Sequence, residues 1–139
     1  METNNFNDDL NIHTVQSYED ACQLLGIKPT YPKFTRCAKI DRPSIIAYHK
    51  LIIIIRALNL LPNGKCWVPN FNNRGEFKYG LWWYITLNNE LGHTLTYNTT
   101  SYTFTDISSR LLFRSIPLAE YCAKQFKDLW QDYLIINQE

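Results

Sequence analysis

The sequence predicts an α+β fold: two N-terminal helices, an antiparallel meander of three to four strands, and a C-terminal amphipathic helix packed on the sheet. Apolar residues first recur at helical spacing, up to about residue 61. From residue 76 the pattern becomes extended and rich in aromatic residues, which suit a half-buried pleated surface. The helical period returns after Ser115. Helices segregated from a run of strands are typical of α+β domains.

The chain has the size and composition of one folded domain. It contains 139 residues, of which 45% are hydrophobic and 14% aromatic, whereas disordered chains are poor in such residues. Residues 1–16 are polar and acidic. We therefore expect a flexible N-terminal arm over residues 1–16 and a single α+β domain over residues 17–139.

The first helix is predicted to begin after Ser17, whose hydroxyl can accept a backbone N–H, and to end at Gly26, which suits a left-handed cap. Residues 27–39 contain two prolines and are expected to be irregular. The second helix is predicted from Asp41, as the cap, to about Leu61. Its centre, residues 51–55 (LIIII), would also suit a buried strand. The capping signals and the length of the apolar segment favour the helix.

Turn-forming residues and the alternation of apolar with polar residues predict the remaining elements. Residues 62–65 (PNGK) and 88–92 are predicted turns, with a strand over residues 76–87 between them. Alternating Leu95, Tyr97, Tyr102 and Phe104 predict strand structure over residues 93–105, with a second turn at residues 98–101. Residues 107–113 are expected to add a third or fourth strand. Ser115 then caps one amphipathic helix that reaches about residue 133.

Charge and composition exclude several function classes. The net charge is +1, whereas duplex-DNA binders usually carry a clear basic excess, so duplex DNA is not an expected partner. No apolar run approaches the roughly 20 residues that cross a bilayer, so no membrane association is expected. The polar start does not resemble a secretory leader. We therefore expect a cytoplasmic protein with reduced cysteines.

Motifs for catalysis and cofactor binding are absent from the sequence. It has no Gly-rich phosphate loop, no GxSxG and no HExxH. His13, His49 and His93 lie far apart in the sequence, and His49 is interpreted as a satisfied core histidine rather than a metal ligand. We expect no enzymatic activity, no cofactor and no metal.

The stretch of residues 67–84 (WVPNFNNRGEFKYGLWWY) is the candidate for function. Its aromatic rings could stack on a base, its asparagines could bond to a base edge, and nearby cationic side chains could hold phosphate. Trp82 and Trp83 point to opposite faces of a strand, so at least one of them is expected in the core, and which one is left open. The predicted ligand-binding residues are Trp67, Asn70, Phe71, Asn72, Asn73, Arg74, Lys78, Trp83, Arg110 and Arg114.

Four segments carry a family resemblance: SYEDACQLLGI, AYHKLIIIIRALN, residues 67–84, and SSRLLFRSIPLAEYCAKQFKDLWQDYL. Together they resemble a family of small uncharacterised proteins found in Bacteroidetes-type bacteria, their phages and mobile elements. The resemblance covers most of residues 17–134, while the longer polar start and the consecutive isoleucines depart from the family pattern. It implies a phage or mobile-element accessory protein that acts in a bacterial cell. It is carried by Trp67, Pro69, Asn72, Tyr79, Arg110, Phe113, Ser115 and Gln125.

Two functional hypotheses follow. In the first, the protein is a non-enzymatic binding module that captures a nucleotide-like ligand, such as a host defence signal, or a single nucleic-acid strand. In the second, it is a structural or protein-interaction module, such as a virion component or an inhibitor of a host protein, with exposed aromatic residues as the interface. The expected location is the host cytoplasm, or a virion in the second case. The sequence leaves open whether the protein forms a homo-oligomer.

Overall fold

The computed structural model describes residues 5–98 and 108–136, and in them the fold is α+β. The helices and strands, in chain order, are α1 (Asn5–Thr14), α2 (Tyr18–Leu25), α3 (Arg42–Leu58), β1 (Lys78–Ile85), β2 (Leu91–Asn98), α4 (Ile116–Gln125) and α5 (Lys127–Leu134). Short 3-10 helices lie at Lys39–Asp41, Leu87–Asn89 and Ser109–Leu111.

Helix α3 is the centre of the core, and α2 and α5 pack against it. Residues 51–55 lie within this helix, which confirms the predicted helix and excludes the alternative strand, and Leu51, Ile54, Ile55 and Leu58 are almost fully buried. The helix ends at Leu58, and the predicted turn follows, where Gly64 has φ of 84° and donates its N–H to Leu61 O at 2.9 Å. Asp41 precedes the helix, but its side chain makes no capping hydrogen bond.

The predicted caps of α2 are confirmed. Ser17 Oγ accepts a hydrogen bond from the Asp20 N–H at 3.1 Å, and Gly26 adopts φ of 71° at the C-terminus. These two contacts satisfy backbone groups that a short helix would otherwise leave unpaired. They hold Tyr18 and Cys22 in the core beside α3.

The structure corrects the prediction of a flexible arm over residues 1–16, since Asn5–Thr14 forms helix α1. Val15 is fully buried, and so are the polar residues Asp8 and Asn11. Asn11 Nδ2 donates to the carbonyl oxygens of Leu58 and Leu60, both at 2.9 Å. Polar contacts therefore hold α1 against the end of α3, and this is why an apolar pattern did not predict it.

Strands β1 and β2 form a two-stranded antiparallel sheet. The 3-10 helix Ser109–Leu111 occupies part of the predicted third or fourth strand, and only an isolated bridge joins Phe113 to Tyr79 of β1. The described residues therefore contain two strands, not the predicted meander of three to four. The predicted turn at residues 98–101 and the strand residues Tyr102 and Phe104 lie outside the described side chains.

The predicted C-terminal helix is in fact two helices, α4 and α5, which meet at Phe126. The Ser115 cap is confirmed, since its hydroxyl accepts from the Leu118 N–H at 3.4 Å. At Phe126 the backbone leaves the helical region (φ −112°, ψ 29°) while the ring is buried. The change of direction lets Trp130 of α5 enter the core beside Trp83.

Candidate functional site

A cleft of about 450 Å³ opens between α3, the segment that follows it, and the 3-10 helix Ser109–Leu111. Its volume lies in the range of small-molecule sites. We call it the arginine cleft, after the charged residues in its wall. It is lined by Ile52, Ile55, Arg56, Asn59, Cys66, Trp67, Val68, Pro69, Phe71, Ser109, Arg110 and Leu112.

Local hydrogen bonds bring the aromatic segment to α3. The turn at residues 62–65 reverses the chain, and Leu60 then pairs with Cys66 through an isolated antiparallel bridge. The Trp67 N–H donates to Asn59 O at 3.3 Å. These contacts place Trp67 beside the last turn of α3, so the aromatic wall of the cleft is tied to the central helix.

Arg56 and Arg110 are the charged residues of the cleft wall, and both are exposed. Within residues 5–98 and 108–136, neither guanidinium has a hydrogen-bond or ion-pair partner. Among the residues that the structure describes, the lining contains no carboxylate. A guanidinium group is always charged and offers a planar fork of donors to carboxylate or phosphate. The cleft is therefore a positively charged site that favours anions.

Trp67 and Phe71 supply aromatic surface to the same cleft, and both are half-buried. Partial burial holds a ring in place while it leaves part of the ring open to a ligand. An exposed ring face can stack on a planar base, and one such stack contributes roughly 1–3 kcal/mol. The arginine cleft thus combines anion recognition with a surface for a flat ring.

The loop around Phe71 uses two of its four predicted polar ligand residues in internal hydrogen bonds. Asn70 Oδ1 accepts from the Asn72 N–H and Asn73 Oδ1 accepts from the Gly75 N–H, each at 3.0 Å. Such side-chain to backbone bonds are typical of Asx turns. Asn72 and Arg74 are exposed, but they do not line the cleft. Four of the predicted residues, Asn70, Asn72, Asn73 and Arg74, therefore lie outside the cleft wall.

Lys78 is placed differently from the prediction of a phosphate-binding residue. Its side chain is 0% exposed, and its ammonium group contacts the backbone oxygens of Asn73 and Glu76 and the Glu76 carboxylate. The structure therefore places the charge of Lys78 inside the loop rather than in the cleft.

Arg114 is also engaged within the fold. Its Nη1 lies 2.5 Å from Asp8 Oδ1, and its Nη2 donates to Asn7 Oδ1 at 2.7 Å and to Leu60 O at 3.3 Å. The side chains of Arg114 and Asp8 are 8% and 2% exposed. This buried ion pair fastens α1 to the segment before α4, so a ligand would have to compete with Asp8 for the guanidinium.

Trp82 and Trp83 lie on opposite faces of the sheet, as expected. Trp82 is 52% exposed, whereas Trp83 is half-buried. The ring centroid of Trp83 lies 5.2 Å from that of Trp130 and 5.2 Å from that of His93. Trp83 therefore belongs mainly to the packing of the sheet on α5, away from the arginine cleft.

The remaining titratable groups offer no metal site in the part of the chain that the structure describes. His49 Nε2 lies 3.0 Å from Thr30 O, and His93 Nε2 lies 2.6 Å from Glu120 Oε1. Burial raises the pKa of the Cys122 thiol to about 12, so this thiol stays protonated at neutral pH. It is therefore poorly suited to act as a nucleophile.

The cleft brings together three of the predicted residues, Trp67, Phe71 and Arg110, and adds one that was missed, Arg56. Arg56 is the single charged residue within the apolar end of α3. A charged residue within an apolar helical run indicates a position that faces solvent. The sequence could not indicate that this position faces the Trp67 segment.

Comparison of the chain with protein-family models, with curated proteins and with solved structures gives no match. Among the described residues, none of the helices has both the length and the apolar character needed to cross a bilayer.

Proposed function

We propose that the protein is a non-enzymatic binding protein that captures a nucleotide-like small molecule in the arginine cleft. The observation that supports this most is the presence in one cleft of Arg56, Arg110, Trp67 and Phe71, with no carboxylate among the described residues of the lining. In this proposal the two guanidinium groups bind phosphate oxygens and the aromatic rings contact the base.

The charge state of the arginines supports an anionic ligand in particular. Among the described residues, the Arg56 and Arg110 guanidinium groups have no partner to give up when phosphate binds, whereas Arg114 would first have to leave Asp8. The cleft is open to solvent at Arg56 and Arg110, so a charged group can remain partly hydrated there. A free nucleotide, with one flat ring and one anionic end, matches this division of chemistry.

The biological role that we propose is that of a phage or mobile-element accessory protein in the cytoplasm of a bacterial cell. This part of the proposal follows from the sequence resemblance described above. Capture of a nucleotide-type defence signal requires a binding site and no catalytic group, which agrees with a cleft of arginines and aromatic rings.

A thermal-shift screen tests the proposal. The purified protein is heated with ribonucleoside monophosphates, cyclic nucleotides, cyclic dinucleotides and short single strands. A ligand at about 100 times its Kd stabilises the folded state by about 2.7 kcal/mol, which corresponds to a rise in Tm of roughly 5–10 °C for a chain of this size. We expect at least one nucleotide to produce such a shift.

Three alanine variants locate the site. Arg56→Ala and Arg110→Ala should each abolish most of the shift, because each removes one phosphate-binding fork. Arg74→Ala is the matched control, since Arg74 is also exposed but lies outside the cleft wall. The proposal fails if no nucleotide shifts the wild type, or if Arg74→Ala reduces the shift as much as Arg56→Ala and Arg110→Ala.

A second candidate function, a structural or protein-interaction module, is favoured by the exposed apolar residues of the hairpin. Trp82 and Tyr84 are each 52% exposed on β1, and Leu87 in the following turn is 88% exposed. Aromatic residues of this kind are enriched at interfaces. Light scattering of the wild type and of a Trp82→Thr/Tyr84→Thr variant would separate the two functions, because a stable assembly that the variant loses favours the second.

A further inference from the structure

Lys78 carries a charge that is buried beside the arginine cleft. Its side chain is 0% exposed, although it is the first residue of strand β1. Nζ lies 3.1 Å from Glu76 O, 3.3 Å from Asn73 O and 3.4 Å from Glu76 Oε1. The contacts with the two backbone oxygens are hydrogen bonds, and the contact with the carboxylate is an ion pair. The ammonium is therefore enclosed by oxygens of its own loop and is not exposed to a ligand in the cleft.

The same ammonium closes the loop that follows Phe71. It joins Asn73 and Glu76 through their backbone oxygens, and the Glu76 carboxylate in turn accepts the Asn70 N–H at 2.8 Å. Backbone bonds from Asn73 N to Asn70 O and from Glu76 N to Asn73 O complete the ring of contacts. Lys78 is therefore the centre around which residues 70–76 are folded.

Phe71 is the link between this loop and the cleft. The Lys78 ammonium lies 5.3 Å from the centre of the Phe71 ring, a distance at which a cation is attracted to the ring face. Phe71 is also part of the cleft wall. The position of one aromatic wall of the cleft thus depends on a charge that does not itself line the cleft.

We propose that Lys78 is a positioning residue that fixes Phe71 in the cleft wall and thereby sets the preference of the site for ligands that carry a flat ring. This inference rests on the proposed function of the cleft. It assigns Lys78 no contact with the ligand. Loss of the ammonium should release the loop and reduce ring binding, while Arg56 and Arg110 continue to bind phosphate from α3 and the 3-10 helix.

Two probes separate the ring end of the site from the phosphate end. The four ribonucleoside 5′-monophosphates carry base, sugar and phosphate, and ribose 5-phosphate carries the same sugar and phosphate without the base. For the wild type, Kd is measured by titration calorimetry for the tightest of the four nucleotides and for ribose 5-phosphate. The Kd for ribose 5-phosphate divided by the Kd for the nucleotide gives a ratio that reports the contribution of the base.

In Lys78→Met, which keeps the length of the side chain and removes its charge, we expect this ratio to fall about tenfold, within the range of one lost stacking contact. The Kd for ribose 5-phosphate should change less than twofold. Lys124→Met is the matched control, because it removes the same charge from an exposed site on α4. It should leave both Kd values unchanged.

A double-mutant cycle distinguishes positioning from general destabilisation. In a Phe71→Ala background, Lys78→Met should cause no further change in the ratio, because the residue through which Lys78 acts has been removed. Equal weakening of both probes, or an additive effect of the two substitutions on the ratio, would overturn the inference. If Lys78→Met does not fold, Glu76→Gln tests the same contact with a smaller expected change in the same direction.

The failure of this inference can be told apart from the failure of the proposed function. A wild type that binds no nucleotide of the thermal-shift screen contradicts the proposed function and the inference together. A wild type that binds a nucleotide, combined with an unchanged ratio in Lys78→Met, contradicts the inference alone. Hydrogen exchange of the free protein adds an independent measure: the Asn70 and Asn73 amides should exchange faster in Lys78→Met, and unchanged exchange would also overturn it.

Discussion

Arg110 and Arg114 lie four residues apart in the sequence, but the structure places them in contrasting surroundings. Arg114 is buried against Asp8 and holds helix α1 to the rest of the fold. Arg110 is exposed in the wall of the arginine cleft, and its guanidinium has no hydrogen-bond or ion-pair partner among the described residues. The same side chain thus stabilises the fold at one position and, within the described residues, is unpaired at the other. The partner, rather than the residue type, decides between the two roles.

Lys78 and Arg56 repeat this contrast. The Lys78 ammonium is fully enclosed by oxygens of its own loop, whereas the Arg56 guanidinium is open to the cleft. Substitutions at the enclosed charges should therefore change the free energy of unfolding or the shape of the loop. Substitutions at the open charges should leave stability unchanged and affect binding.

The largest effect is expected at the buried ion pair. Asp8→Ala leaves the Arg114 charge buried without its carboxylate, and breaking such a pair commonly costs about 3–5 kcal/mol. Urea denaturation of the wild type and the variant measures the difference in the free energy of unfolding. Asp9→Ala is the control, since Asp9 is an exposed neighbour on the same helix, and it should cost less than about 0.5 kcal/mol. Equal effects of the two substitutions would show that α1 does not depend on this contact.

A smaller effect is expected where α1 is held by a neutral side chain. Asn11→Ala removes the donor shared by the Leu58 and Leu60 carbonyls, and a buried acceptor left without a partner costs about 1–3 kcal/mol. Thermal or urea unfolding provides the measurement, with His13→Ala as an exposed control on the same helix. A variant as stable as the wild type would restore the interpretation of residues 1–16 as a loose arm.

Still smaller changes in stability are expected at the open arginines. Arg56→Ala and Arg110→Ala should each change the free energy of unfolding by less than about 0.5 kcal/mol, because neither removes a contact of the described fold. The same urea experiment, with Arg114→Ala as the destabilised reference, tests this expectation. A loss of stability at Arg110 comparable with that at Arg114 would remove the contrast between the two positions.

Chemical modification of the cysteines compares the cleft with the core without a substitution that would change stability. Cys66 lines the cleft and is exposed, whereas Cys122 is fully buried and its pKa is raised to about 12. With iodoacetamide at pH 8, Cys66 should react and Cys122 should not, as followed by mass spectrometry. A nucleotide that occupies the cleft should slow the reaction at Cys66 a few-fold. Unchanged reactivity of Cys66 at a saturating concentration would place the nucleotide elsewhere.

The pKa of Cys122 also gives a direction for the pH dependence of stability. Since burial raises the pKa of the folded thiol from about 9 to about 12, the unfolded chain loses this proton at a lower pH than the folded chain does. The contribution of Cys122 to stability is therefore complete below about pH 9 and declines as the pH rises towards 12. A Cys122→Ala variant should show a weaker decline over that interval.

The elements that the sequence predicted correctly are those with local chemical signals. Ser17 and Gly26 mark the two ends of α2, and Ser115 marks the start of α4. The apolar run of α3 and the turn at Gly64 were likewise read from local pattern. Each depends on a cap, a positive φ or a periodicity that neighbouring residues determine.

The errors arose where contacts between distant residues decide the structure. Helix α1 is held by Asn11 and Asp8, whose partners lie 47 or more residues away in the sequence. A polar sequence pattern does not predict that such side chains are buried. The break at Phe126 has no glycine or proline to mark it. For the same reason the sequence could group Lys78 and Arg114 with Arg110 as cations but could not separate the enclosed charges from the open one.

A crystal structure of the protein with the nucleotide that stabilises it most would test the arginine cleft most directly. We predict phosphate oxygens within about 3.2 Å of the guanidinium nitrogens of Arg56 and Arg110, and a base in contact with Trp67 or Phe71. Lys78 and Arg114 should keep their internal partners. A nucleotide bound elsewhere, such as on Trp82 and Tyr84, or one whose phosphate contacts neither Arg56 nor Arg110, would contradict the assignment of the cleft.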